Sequence, residues 1–287
     1  MSVTAFLLRM PPLLMLSFLV LLFAAFGVLG TYFFKKNIKI KLKDTEKDQA
    51  ITGYAIVGGF YGLLLAFVVF LVWNQYNDAQ KDADMEGTLS RALYRSIKYY
   101  PVNPNDTVQY AKKTHIISAL VSFIKTALTE DSLMENEGMQ STNYIKYRDS
   151  ITVGRFNHLF QSIEAFHDDS VYKNMRADDM FKTVNEIANC RGLISLSLDD
   201  ETSPYVWAAL LFGGLITALF SFLLPGEKLR IQMFINGKLG AFIALIFYII
   251  LLFDHPYQGK IRVDMKSGLE QIIVWEQSKT LDIRPEE

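Results

Sequence analysis

The sequence predicts an all-α protein: a four-span transmembrane helical bundle with a helical extramembrane domain inserted between spans two and three. Three observations lead there. Uncharged apolar blocks lie toward both ends of the 287 residues. A charged block with helical apolar spacing lies between them. No strand-like alternation of any length interrupts that block. The expected boundaries are residues 1–77 for the first two spans and a lysine-rich loop, 78–203 for the helical domain and 204–253 for spans three and four. Residues 254–287 form a tail, on the membrane surface or on the helical domain.

A span needs about 20 apolar residues at 1.5 Å each. Residues 10–34, 49–77 and 202–226 are uncharged and long enough. The fourth candidate, 239–253, is short, and works if the helix begins near Ile231 and Lys238 snorkels to the headgroups. A buried core helix is the rival reading of such runs. The first run is long for a signal peptide and leaves through a poor cleavage site, so a retained helix is expected.

Six lysines follow the first span: Lys35, Lys36, Lys39, Lys41, Lys43 and Lys47. Lys228, Arg230 and Lys238 lie between the last two spans. Positive charge in short loops stays cytoplasmic, so both links are expected inside. The N-terminus, the helical domain and the C-terminus are then outside, in a cell or inner membrane. A lipid-gripping surface is the other reading of the lysines, with the same sidedness.

Within 78–203, apolar residues recur every three or four positions at Val108, Ala111, Ile116, Leu120, Phe123 and Ala127, again at Leu159, Ile163 and Phe166, and again at Phe181, Val184, Ala188, Ile194 and Leu198. The break at "YYPVNPND" leaves Asn105 or Asp106 to cap the next helix. Residues 129–143 are polar and predict a loop. In the tail, Ser267 and Glu270 have capping-box spacing, and Trp275 suits a membrane interface.

Chemistry-bearing motifs are scarce. There is no His-Glu-x-x-His, no phosphate-cradling glycine loop and no nucleophile elbow. One cysteine, Cys190, rules out an intrachain disulfide framework. The imidazole beside two carboxylates at His167, Asp168 and Asp169 reads as a solvated helix end. No enzyme activity, metal or cofactor is expected. A net charge of -1 argues against a nucleic-acid partner.

The second span is the most informative element. Gly58, Gly62 and Ala66 fall four apart, on one face, where small residues let backbones approach, within one protomer or around a central axis. Phe60, Phe67 and Phe70 face lipid or form a dewetting constriction. No proline follows before Tyr100, so the helix should run on for several turns. Asp78, Asp82 and Glu86 then make a carboxylate stripe, either salt-bridged or attracting ions. At the other end of the chain, Asp254 marks the end of span four, Pro256 stops the helix and Gly259 permits a turn. Tyr257 suits the headgroup layer, and His255 reads as a solvated interfacial histidine.

These elements together resemble the bestrophin-like membrane proteins of unknown function. The signature is "LLLAF" at residues 63–67, then Glu86, then Leu93, Tyr94 and Arg95. The closing signature is an apolar helix ending in Asp254, Pro256, Tyr257 and Gly259. "NEIANCRGLISLSLDDETSPYVWAALLFGG" resembles the arginine-bearing helix before the third span; the family pattern carries a second arginine after the first, where this chain has only Arg191. More distantly, Gly59, Phe60 and Tyr61 with Trp73, Asn74, Gln75 and Tyr76 resemble bestrophin anion channels, the two groups being set about three residues further apart, nearly one helical turn. The resemblance implies a homo-oligomeric ion channel in membrane lipid, lined by the second span, with Gly58, Gly62, Phe67, Phe70 and Asn74 facing the pathway. It also implies the opposite sidedness from the lysine rule, with the large domain and both termini in the cytosol. The rival class is a non-conducting receptor or scaffold whose helical domain binds a partner.

Overall fold

A computed structural model describes residues 7, 8, 10–38, 43–103, 105–137, 141–166, 171–199, 202–224 and 228–282. His167, Asp168, Asp169, Lys39 and Lys41 lie outside the described residues. The described residues are helical, without strand: α1 (Pro12–Asn37), α2 (Asp44–Lys98), α3 (Thr107–Glu137), α4 (Thr142–Lys146), a π-helical turn (Tyr147–Thr152), α5 (Val153–Glu164), α6 (Val171–Asp199), α7 (Pro204–Leu223), α8 (Leu229–Phe253) and α9 (Ser267–Asp282). Among the described residues four helices are long and apolar enough to cross a bilayer: α1, α2, α7 and α8. The fourth span begins at Leu229, and Lys238 Nζ lies 4.3 Å from the centre of the Phe234 ring.

The chain divides into two compact units: Met1–Asn77 with Asp200–Arg262, and Asp78–Asp199 with Val263–Glu287. In the first, α1 packs along α8. The approach is close enough that a Cβ on Gly240 would run into the Phe23 carbonyl, and one on Gly27 into the Asn236 carbonyl. In lipid such backbone proximity supplies the van der Waals contact that the hydrophobic effect does not. A polar latch joins it: Asn236 Nδ2 donates to Thr31 Oγ1 at 2.8 Å, and Thr31 Oγ1 donates to the Gly27 carbonyl at 2.6 Å. Tyr61 of α2 donates its hydroxyl to the Leu210 carbonyl of α7 at 3.1 Å.

The α8 helix ends at Phe253, as the following Asp-His-Pro predicts. Asp254 is buried, and its Oδ1 accepts from the Thr202 amide at 2.8 Å, just before α7. There it satisfies an amide at a helix N-terminus, where a carboxylate is favoured. Gly259 has φ +79°, the left-handed region that a side chain disfavours. His255 and Tyr257 are corrected: both are buried, the turn having folded them inward rather than into water or headgroups.

In the second unit, the C-terminal half of α2 gathers α3, α5, α6 and α9 around Leu93, Ile97, Leu120, Phe123, Leu159, Ile163, Val184, Ile187, Leu269 and Ile272. Each such side chain contributes about 1.5–3 kcal/mol by leaving water. Asp106 caps α3, its Oδ1 accepting from the Gln109 amide at 3.0 Å. The expected loop over 129–143 is overturned in its first part, because α3 continues to Glu137 with Met134 buried. The tail helix starts at Ser267 itself, and Leu269 and Ile272 bury its apolar face in this core. Trp275 is exposed but lies beside Tyr94, 5.9 Å between ring centres, and Tyr94 donates to Glu276 at 2.7 Å.

Candidate functional site

The α2 helix has two contrasting faces. Tyr61, Leu65, Val68 and Val72 are buried in the first unit's core. On the opposite face Phe60, Leu63, Phe67 and Phe70 are exposed, followed by the half-buried Asn74. Their spacing is three, four, three, four, the 3.5-residue period of a seam between supercoiled helices. Beside the seam, a Cβ added to Gly58, Gly59 or Gly62 would meet nothing within 4 Å. The small face is therefore not used for packing against any described part of its own protomer.

The three carboxylates downstream go different ways. Asp78 is exposed and pairs with Lys81 at 2.8 Å. Asp82 is half-buried. Glu86 is only 1% exposed, so the expected stripe of three facing one way is corrected. Four residues advance a helix by 400°, so a row at that spacing drifts about 40° per step, enough to carry the third member round to the core side.

Inside the second unit Glu86 meets Arg191 of α6. Nη1 donates to both Glu86 oxygens at 3.3 and 3.2 Å. Nη2 donates to Asp131 Oδ1 at 3.3 Å and pairs with Glu130 Oε2, also at 3.3 Å but off the hydrogen-bonding direction. One guanidinium thus faces three buried carboxylates. Burial raises the Glu86 pKa, against the pull of Arg191. Burial also raises Asp131, to about 7; Arg191 opposes this, and Glu86 and Glu130 reinforce it. Burial works against the charge on Arg191, but Glu86, Asp131 and Glu130 outweigh it and hold its pKa well above the usual value.

Glu86 and Arg191 were each marked by the family resemblance; their partners Glu130 and Asp131 were missed, because acids in a polar stretch read as loop. The available signal was the stripe Ile116, Leu120, Phe123, Ala127, whose next buried positions are Glu130, Asp131 and Met134. Cys190 is a free, buried thiol. Among the described residues no three His, Cys, Asp or Glu side chains are placed to hold a metal ion.

Four bilayer-length helices, a separately cored helical unit and a charged cluster within it define a multi-span helical membrane protein. The chain belongs to the Bestrophin-like family, whose domain is recognised over residues 21–267. Its fold is that of a bacterial bestrophin homologue from Klebsiella pneumoniae. Two mutant crystal structures of that protein match with TM-scores of 0.62 and 0.64, at 13% and 14% identity. They cover 94% and 97% of this chain and 96% and 99% of theirs. A further crystal structure, described as a membrane protein, matches at TM-score 0.62 and 13% identity over 100% of this chain and 99% of its own. No curated protein matches the sequence.

Proposed function

We propose that the chain is the protomer of an oligomeric ion channel of bestrophin type, with α2 lining the pathway. The observation that carries this is the exposed 3.5-residue seam of α2, opposite its buried face and flanked by the uncovered Gly58 and Gly62. Copies of α2 around an axis would bury that seam and bring the small face against a neighbour. Phe67 and Phe70 would then form a constriction that gates by dewetting, Asn74 its polar end and Asp78 and Asp82 an ion-attracting mouth. Homo-oligomerisation in lipid and permeating ions are parts of the same proposal. The test is purified protein in liposomes, with anion and cation flux and subunit number measured on one preparation. Flux that rises in Phe70→Ala supports the proposal. A monomer with no flux from parent or variant refutes it.

The second reading is a non-conducting receptor or scaffold. It is favoured by the apolar stretch from Leu63 to Trp73, which offers an ion no polar side chain. Oligomers that conduct neither ion class would establish it. For sidedness we propose, from the lysine loop, that the helical domain and C-terminus face outward. A reporter after Glu287 should be extracytoplasmic, and one near Asp44 cytoplasmic; the reverse result gives the bestrophin topology.

A further inference from the structure

The carboxylate cluster opens onto a cavity of about 260 Å³ in the second unit. Its polar wall includes Glu130, Asp131, Arg191, Arg148, Tyr144 and Thr152, and much of the rest is apolar, including Phe123, Phe156 and Leu198. Three acceptor atoms on that wall are buried and accept no hydrogen bond: Glu130 Oε2, whose one contact is the off-direction ion pair with Arg191 at 3.3 Å, Asp131 Oδ2 and Thr152 Oγ1. Their residues are 5%, 4% and 4% exposed. Such groups each cost about 1–3 kcal/mol unless something donates to them.

Thr152 is independent of the acidic cluster and points the same way. Helical threonines usually return the hydroxyl to the preceding turn. Thr114, Thr126, Thr129 and Thr183 all do so here. Thr152 instead closes the π-helical turn Tyr147–Thr152, a rare geometry that recurs at functional sites.

The charges decide the chemistry of the missing donor. Arg148 is committed to Asp149 at 2.7 Å. Among the described residues Arg191 is the one cation paired with Glu86, Glu130 and Asp131, leaving two negative charges uncompensated when all three are ionised. An anion is therefore repelled. A bare metal ion lacks a suitable ligand set among the described residues. A group with several N–H donors, one positive charge and a small apolar body matches the three acceptors, the charge deficit and the apolar wall.

We propose that this cavity binds a primary ammonium ligand, its head donating to Glu130, Asp131 and Thr152 and its hydrocarbon body lying against Phe123, Phe156 and Leu198. The volume suits an amine of the size of 2-phenylethylamine rather than a lipid. The cation also replaces the proton that the crowded Asp131 otherwise holds near neutrality, so binding releases protons.

The test uses the full-length protein in detergent micelles, titrated calorimetrically with 2-phenylethylammonium chloride in two buffers of different ionisation enthalpy. The expected result is saturable binding with proton release, affinity rising several-fold between pH 6 and pH 8. 2-Phenylethanol, which lacks the charge, and tetramethylammonium, which lacks the donors, should not bind. Asp131→Asn and Thr152→Val should each weaken binding about tenfold or more, one good hydrogen bond being about 1.4 kcal/mol. Retained helix content and unchanged gel-filtration behaviour are checked for both. Met134→Trp, which places a bulkier side chain in the cavity and leaves every polar residue of its wall in place, should abolish binding. The proposal is overturned if no saturation appears up to about 10 mM, ten times a weak Kd of about 1 mM. It is overturned equally if the alcohol or the quaternary ion binds as well as the amine, or if all three variants bind as the parent does.

Discussion

Arg191→Met isolates what the cluster costs. Methionine keeps the length and much of the volume of the side chain while removing its charge. Glu86 then loses two hydrogen bonds, at 3.3 and 3.2 Å, and Asp131 and Glu130 each lose a partner at 3.3 Å. The arginine side chain is 16% exposed and its partners 7% or less, so water does not replace what is lost. Breaking a buried pair from one side costs about 3–5 kcal/mol, mostly as uncompensated charge. Three carboxylates are stranded here, so the upper end of that range is expected at pH 8. Acid should relieve it. Each carboxylate whose folded pKa rises binds a proton that the unfolded chain, with a pKa near 4, has released. Stability therefore recovers by up to about 1.4 kcal/mol per pH unit per proton as pH falls from 8 toward 5.

The assay is denaturant unfolding followed by Trp275 fluorescence, in a Trp73→Phe, Trp207→Phe background so that the signal comes from the second unit alone. Adding Glu86→Gln and Asp131→Asn to Arg191→Met should restore most of the loss, since neutral replacement of a whole buried cluster is often close to neutral. The reasoning is refuted if Arg191→Met loses less than about 1 kcal/mol at pH 8, or if the loss is the same at pH 5.

Four further outcomes are expected. In the parent protein the Asp131 pKa is raised to about 7, so its contribution is present below the unfolded value near 4 and is lost as pH rises through about 7. The midpoint of second-unit unfolding should fall from pH 5 to pH 8, and Asp131→Asn should flatten that slope, as read by the same fluorescence. Gly240→Val places a side chain against the Phe23 carbonyl and should separate α1 from α8, cutting the yield of folded protein recovered from membranes. Gly62→Leu should weaken the oligomer measured by native mass analysis while leaving the protomer folded, because beyond the adjoining turns of its own helix no described atom of the chain lies within 4 Å of the new Cβ. Gly259→Val meets both a left-handed φ of +79° and the Leu8 carbonyl at 3.1 Å, and should lose about 1–3 kcal/mol, whereas Lys260→Ala, at an exposed neighbour, should change little in the same thermal scan.

The spans were legible because bilayer thickness sets their length: three uncharged runs met it outright, and the fourth met it once extended past Lys238 to near Ile231. Their ends were legible where a residue type has one physical use: Pro256 could not continue a helix, and Asp106 preceded one with a free acceptor. Polar composition misled at residues 129–137, because a run such as Thr-Glu-Asp-Ser is cheap in a loop and costly in a helix only if it is buried. The side chains of His255 and Tyr257 misled for a related reason: nothing in a local sequence says that a turn folds inward.

The buried cluster could have been read from phase rather than composition. On α2, positions 79, 83, 86, 90 and 93 are one buried stripe, and the third is Glu86. On α3 the stripe 116, 120, 123 and 127 continues to Glu130, Asp131 and Met134. On α6 it runs through Val184 and Ile187 to Arg191 and Ile194. Each helix alone shows a charge where an apolar residue belongs, an error that packing would not tolerate. Together they show two kinds of charge, which fold into one site. Opposite signs on separate stripes therefore predict a meeting point, and the excess of acids over arginine predicts that the meeting is incomplete. That imbalance separates this cluster from an ordinary internal salt bridge. A closed pair needs nothing more, whereas three carboxylates around one guanidinium, beside a cavity and an unpartnered threonine, keep a demand for positive charge in the folded protein.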